Sequence, residues 1–158
     1  MIRIGFGIDV HRLVAGRDLW VGGIKIPYEY GLDGHSDADV LIHAICDALL
    51  GAANLRDIGY QFPDTSGEFL NIDSKILLRR TNELLKEKGY RINNIDSTVA
   101  AQAPKLNPHI PEMQRVMAGV LEIDPDCLSI KATTTEKLGF EGRKEGITAY
   151  ATVLIEKL

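Results

Sequence analysis

The sequence predicts an α+β fold: a mixed β-sheet with three long helices packed as a layer on one face. Three observations carry that expectation. Met1 to His11 alternates with period two, placing Ile2, Ile4, Phe6, Ile8 and Val10 on one side and Arg3, Gly5, Gly7, Asp9 and His11 on the other. Three later segments instead repeat apolar residues at helical spacing. The order that results is strand, hairpin, helix, helix, strand, helix, strand, strand, a mixed order that suits an α+β layer.

Each element has its own signal. The first strand is expected to bury its apolar side. Leu19-Trp20-Val21 and Ile24-Lys25-Ile26 flank Gly22-Gly23, a two-residue hairpin turn, and Pro27 to His35 reads as a loop. Leu41, Ala44, Ile45, Ala48, Leu49 and Ala52 predict a buried helix from about Asp37 to Ala53. Ser36 is the expected N-cap, with Asp37 and Asp39 complementing the dipole in the first turn. Leu55 to Asn71 holds Gly, Pro and Asp with no sustained period and reads as a functional loop. Leu77, Thr81, Leu84 and Leu85 mark a second helix that ends before Gly89, its charged residues on a solvated face. A strand is expected over Arg91 to Ala101. Met113, Val116, Met117 and Val120 define a third helix, entered through Pro108 and Pro111. Alternation at Leu128, Ile130 and Ala132, and again from Ile147 to Ile155, gives the last two strands. Tyr150, Thr152 and Leu154 offer a second face suited to self-association.

Composition narrows the function classes. At 158 residues the chain is most simply one domain, residues 1–158, large enough for a proper core. It is 45% hydrophobic and 25% charged, as soluble globular proteins are. A net charge of -4 argues against a nucleic-acid partner. No apolar run approaches the roughly 20 residues of a membrane helix, so no membrane partner is expected. The N-terminus enters a strand at once and shows no targeting peptide. Cys46 and Cys127 are too few for a disulfide framework or a Cys-rich metal site. A cytoplasmic location is the expectation.

The chemistry-bearing residues fall into a few clusters. Asp9 and His11 share one strand face, which is half of a metal site; a strand ending in a solvated Asp and His is the plainer alternative. His43 lies mid-helix between Asp39 and Asp47 at i−4 and i+4, where a carboxylate could hold the nitrogen a metal leaves free. Asp9, His11 and His43 together would make a three-ligand set with one open position, as in catalytic zinc sites. His35-Ser36-Asp37 precedes the same helix, either as plain capping or as an anion site with His35 donating. Thr133-Thr134-Thr135-Glu136 follows a strand; Thr133 and Glu136 have capping-box spacing, or the hydroxyls meet phosphate and Glu136 a hard cation such as Mg²⁺. Arg143, in a Gly-rich turn with Phe140, could clamp a phosphate. Ala101-Gln102-Ala103-Pro104-Lys105 ends a strand in small residues that would let a flat base approach. There is no third glycine after Gly5-Phe6-Gly7, no P-loop, and no Ser or Cys nucleophile motif.

Taken in order, Asp9-Val10-His11, His35-Ser36-Asp37, the His43 helix through Asp47-Ala48-Leu49-Leu50-Gly51-Ala52, Phe62-Pro63-Asp64-Thr65, Ala101 to Lys105 and Lys131 to Gly139 resemble the 2-C-methyl-D-erythritol 2,4-cyclodiphosphate synthase family of the non-mevalonate isoprenoid pathway. The resemblance implies a homotrimer with its sheets facing the trimer axis and active sites between neighbouring subunits. It implies Zn²⁺ on Asp9, His11 and His43, and a second cation, Mg²⁺ or Mn²⁺, on Glu136. The implied substrate is a cytidine diphosphate compound, 4-diphosphocytidyl-2-C-methyl-D-erythritol 2-phosphate, cyclised with loss of CMP. His35 and Thr134 would be the catalytic pair. Ser36, Asp57, Gly59, Phe62, Asp64, Ser66, Ala101, Ala103, Pro104, Lys105, Leu106, Thr133, Phe140 and Arg143 would join Asp9, His11 and Glu136 in contacting substrate. The chain departs from many relatives in reading Arg56-Asp57-Ile58-Gly59 for Gly-Asp-Ile-Gly, and in having Gln61 and Ser66 at the flanks of its loop. Ile8 and Tyr150 stand where some relatives line a central cavity with an aromatic residue and an acid. Two other readings stay open from the residues: a zinc phosphohydrolase, and a trimer that binds nucleotide or isoprenoid diphosphate without turnover.

Overall fold

A computed structural model of the chain describes residues 1–63, 67 and 71–158. Its strands are β1 (Ile2–Ala15), β2 (Leu19–Val21), β3 (Ile24–Ile26), β4 (Tyr30–Leu32), β5 (Tyr90–Ala100), β6 (Leu128–Thr133) and β7 (Gly146–Lys157). Its α-helices are α1 (Val40–Ala52), α2 (Ile58–Gln61), α3 (Ser74–Glu87), α4 (Ile110–Leu121) and α5 (Gly139–Gly142). The main sheet has the order β4-β1-β7-β5-β6. β1, β7 and β5 run antiparallel in turn, and only β5 and β6 pair in parallel. The mixed sheet and the one-sided layer of long helices are as the sequence predicts.

α1 is the centre of the packing. Apart from His43, Asp47 and Gly51, all of its residues are buried, as befits a helix covered on every side. It lies on β1 and β7, α3 packs against α1, and α4 bridges α3 and β6. The approach of α1 to the sheet depends on residues without bulk. A Cβ on Gly5 would stand 2.0 Å from the Ala48 carbonyl oxygen, and one on Gly7 would stand 2.0 Å from that of Ala44. Ala149 and Ala151 of β7, paired with Asp9 and Gly7, continue this low surface.

That contact reverses the expected facing of β1. The side carrying Gly5, Gly7, Asp9 and His11 lies under the helix, while the apolar side faces outward. Ile4 is 74% exposed and Phe6 63% exposed. Alternation defines two faces but does not say which one a helix will cover, and here the glycines decide it. β1 also runs past His11 to Ala15, where Leu13 to Ala15 pair with β4. β4 itself falls within the stretch read as loop.

The start of α1 is a second correction. The N-cap is Asp39, not Ser36, and the helix begins at Val40, three residues later than expected. Ala38 has a left-handed φ of 58°, which no helix interior accommodates. The Asp39 carboxylate accepts from Ile42 N and from the Gly22 and Gly23 N–H groups at 2.9 and 2.7 Å. One buried carboxylate thereby caps α1 and anchors the β2–β3 hairpin, whose glycines supply the positive φ of a two-residue turn. Burial pushes the Asp39 carboxyl above the usual range.

Candidate metal centre and its cavity

Asp9 and His11 project from β1 toward α1, and the glycine-cleared contact brings His43 down between them. Asp9 Oδ2 lies 2.8 Å from His11 Nε2 and 3.1 Å from His43 Nδ1. The two ring nitrogens are 3.4 Å apart. All three side chains are mostly buried. Among the described residues, this is the one group of three or more His, Cys, Asp or Glu arranged to hold a metal ion.

The far sides of both rings account for their protons. His11 Nδ1 sits 2.8 Å from the Asp33 carbonyl oxygen, which can only accept. A proton on Nδ1 leaves Nε2 with its lone pair turned inward. His43 Nε2 meets Ser74 Oγ at 2.9 Å and Ser36 Oγ at 3.2 Å, leaving Nδ1 turned inward. Two imidazole lone pairs and a carboxylate oxygen thus converge on one point, an arrangement that calls for a cation. A ring nitrogen that instead carried a proton on its inner side would donate to Asp9; burial would raise the Asp9 carboxyl, but such hydrogen bonds from His11 and His43 prevail and hold it down to about 2. Burial would lower the His11 imidazole, yet the Asp9 hydrogen bond and charge raise it above its ordinary value. A nitrogen–oxygen donor set of three suits Zn²⁺ and leaves a fourth position open.

The carboxylates expected to orient His43 do other work. Asp39 is committed to the helix cap and hairpin, and Asp47 accepts from Ile58 N at 2.8 Å. Ser36 and Ser74 take that place. Ser74 was not among the residues the sequence singled out. It lies 31 residues from His43, and no local pattern joins them.

The triad opens into a cavity of about 240 Å³, also lined by His35, Ser36, Gly59 and Phe62. Asp57, beside Gly59, caps α2 through Tyr60 N at 3.1 Å. The structure therefore gathers Asp9, His11, His35, Ser36, His43, Gly59 and Phe62 at one place. A separate cavity of about 350 Å³ gathers Ala101, Pro104, Lys105, Leu106, Thr133 and Thr134. Ala103 belongs to the same turn, and its bond to Pro104 is cis. Glu136 is exposed and lines neither cavity. No helix starts at Thr133, so the capping-box reading of Thr133 and Glu136 fails. Glu136 and Lys137 instead take left-handed φ values of 54° and 63°. Phe140 lines a third cavity with Val10 and His11. Arg143 pairs with Glu145 at 3.1 Å, exposed to solvent. Asp64 and Ser66 lie outside the described residues.

The chain is similar to known proteins along almost its whole length. The YgbB family profile matches residues 2–156. The 2-C-methyl-D-erythritol 2,4-cyclodiphosphate synthase of Parabacteroides distasonis is 70% identical over 157 residues, covering 99% of this chain and 98% of its own length. The bifunctional IspDF of Campylobacter jejuni superimposes with a TM-score of 0.96 at 44% identity; the match covers all of this chain and 43% of that longer protein. A CDP complex of Plasmodium falciparum IspF superimposes with a TM-score of 0.87 at 36% identity, covering 99% of this chain and 96% of its own. Matched almost end to end by the family profile and by its relatives, this chain belongs to the YgbB family, that of the 2-C-methyl-D-erythritol 2,4-cyclodiphosphate synthases.

Proposed function

We propose that the chain, as one domain over residues 1–158, converts 4-diphosphocytidyl-2-C-methyl-D-erythritol 2-phosphate to 2-C-methyl-D-erythritol 2,4-cyclodiphosphate and CMP. The observation that carries this reading is the convergence of Asp9, His11 and His43 lone pairs at a cavity shared with His35 and Ser36. It stands in a chain 70% identical to a synthase of that name. The reaction is a phosphoryl transfer within one molecule. A 2-phosphate oxygen forms a bond to the β-phosphorus, the bond from that phosphorus to the bridging oxygen breaks, and CMP leaves with the electron pair.

Because the nucleophile is part of the substrate, the protein needs no nucleophile of its own; its tasks are alignment and charge neutralisation. Zn²⁺ on Asp9, His11 and His43 would supply Lewis-acid polarisation and a template for a phosphate oxygen. His35 and Ser36 line the same cavity and would hold the reacting phosphates, with Thr134 and Thr133 donating from the other side. Glu136 would ligate Mg²⁺ or Mn²⁺ as a hard carboxylate oxygen donor, and the cation would supply charge neutralisation at the diphosphate. Asp57, Gly59, Phe62, Asp64 and Ser66 would meet the sugar region. Ala101, Ala103, Pro104, Lys105 and Leu106 would cradle cytosine, and Phe140 and Arg143 would border the phosphates.

We infer a homotrimer, with the outward β1 face (Ile2, Ile4, Phe6, Ile8, Val10) and Tyr150 turned to the axis. The two cavities are separate within one chain, and assembly would bring one chain's metal side against a neighbour's cytosine side. Among the described residues no helix is long and apolar enough to cross a membrane, and a cytoplasmic location fits a phosphorylated small-molecule substrate. The test is to incubate purified protein with the diphosphocytidyl substrate, Zn²⁺ and Mg²⁺ and follow the phosphorus NMR. CMP with a cyclic diphosphate is the expected product. Linear phosphates would mean hydrolysis, and unchanged substrate would mean a binding protein.

A further inference from the structure

The geometry points to Asp37 and Ser74 as a positioning pair that fixes which nitrogen of His43 faces the metal. This rests on the metal reading above and extends it by two residues that touch neither ion nor substrate. Ser74 is fully buried and opens α3. Its hydroxyl has a single proton, and that proton goes to Asp37 Oδ1. With its proton committed, Ser74 Oγ can only accept from His43 Nε2, 2.9 Å away. His43 must then carry its proton on Nε2 and turn the Nδ1 lone pair toward Asp9 and His11. Ser36 cannot impose this. Its hydroxyl accepts from Ala38 N at 3.1 Å and keeps a proton of its own, so it could meet His43 as donor or acceptor.

Asp37 is held for the task. Its other oxygen accepts from Ser74 N at 2.9 Å, and Oδ1 also accepts from Asp39 N at 3.0 Å. The neighbouring backbone is stitched to the same segment, Asn71 N to His35 O at 2.9 Å and Asp37 N to Ile72 O at 3.3 Å. The carboxylate the sequence assigned to the helix dipole therefore acts two hydrogen bonds away from the His43 ring, through a serine 37 residues along the chain. Removing it would do more than loosen a contact. The freed Ser74 proton could turn toward His43 Nε2 and favour the tautomer protonated on Nδ1, which cannot ligate.

The test titrates metal-free protein with Zn²⁺ against a chromophoric chelator and follows the exchange of the His43 Nε2–H by ¹⁵N NMR in the zinc-loaded state. Outer partners of ligating histidines are worth ~10–100-fold in affinity. Asp37→Ala is expected near the upper end of that range and Ser74→Ala near the lower end, since Ser36 remains. Ser74→Thr keeps the hydroxyl and should restore affinity to within about threefold. The Nε2–H should exchange slowly in the wild type and in Ser74→Thr, and fast in the two alanine variants. A purely structural role would lower their melting temperatures without altering affinity or exchange, and that result would overturn the proposal. So would rapid Nε2–H exchange in the wild type, a measurement independent of whether any variant folds. Failure of the wild type to bind Zn²⁺ would instead overturn the metal reading beneath it.

Discussion

The two halves of the proposed site are built in opposite ways. On the metal side, every functional atom is braced: Asp9 and His11 by a paired strand, His43 by a buried helix, and the far nitrogen of each ring by a fixed partner. On the other side, Thr133 to Arg143 lies mostly exposed, its backbone bent through two consecutive left-handed residues, its charges paired to near neighbours or turned to solvent. The first half needs only an ion to be complete. The second is a rim set by backbone shape, which in the proposed trimer would be completed by ligand and a neighbouring subunit. Rigid chemistry sits on rigid elements, and adaptable contacts sit on loops.

The most direct way to break this comparison is to remove a ligand from the braced half. His43→Ala should cost more than the ~100-fold limit expected for an outer partner, abolishing stoichiometric zinc and turnover while leaving far-UV circular dichroism near wild type. Full zinc content by mass spectrometry under native conditions would sink the ligand assignment. Next in size, Gly7→Ala inserts a methyl group 2.0 Å from the Ala44 carbonyl oxygen. Overpacking of this kind costs about 1–3 kcal/mol, and a backbone neighbour that cannot rotate away places it at the upper end. The melting temperature should fall by roughly 6–12 °C for a protein of this size, with weaker zinc binding as α1 lifts away. A variant that melts with the wild type would show that the helix–strand contact tolerates more than its geometry allows. The smallest effect on zinc belongs to the rim. Glu136→Gln should shift the Mg²⁺ dependence of turnover to higher concentration and leave zinc content unchanged, because Glu136 does not line the triad cavity. An unaltered Mg²⁺ titration would remove its proposed role.

How far the sequence could be read follows the same division. Period-two alternation located β1, helical spacing located α1, α3 and α4, and the Asp-x-His pair with a mid-helix histidine picked out the three residues that the structure gathers as a candidate metal centre. What escaped was set by contacts between distant segments. Nothing within residues 1–11 says that the glycine side would be covered and the isoleucine side left bare; that depends on the alanine face of α1. Ser36 and Asp39 are equally good N-caps by type, and the choice fell to Asp39 because the hairpin glycines needed its carboxylate. The Asp37–Ser74 hydrogen bond has no local signature at all. Thr133 and Glu136 show the reverse error, a valid capping-box spacing with no helix behind it, since a left-handed turn intervenes at Glu136 and Lys137.

The outward face of β1 has a thermodynamic consequence. Ile2, Ile4, Phe6, Ile8 and Val10 are held in a row by a strand that cannot turn them inward, because its opposite side is filled by α1. The apolar area they present gains nothing from the folding of a single chain. In the proposed trimer that gain comes only on association, so dilution itself would act as a denaturant.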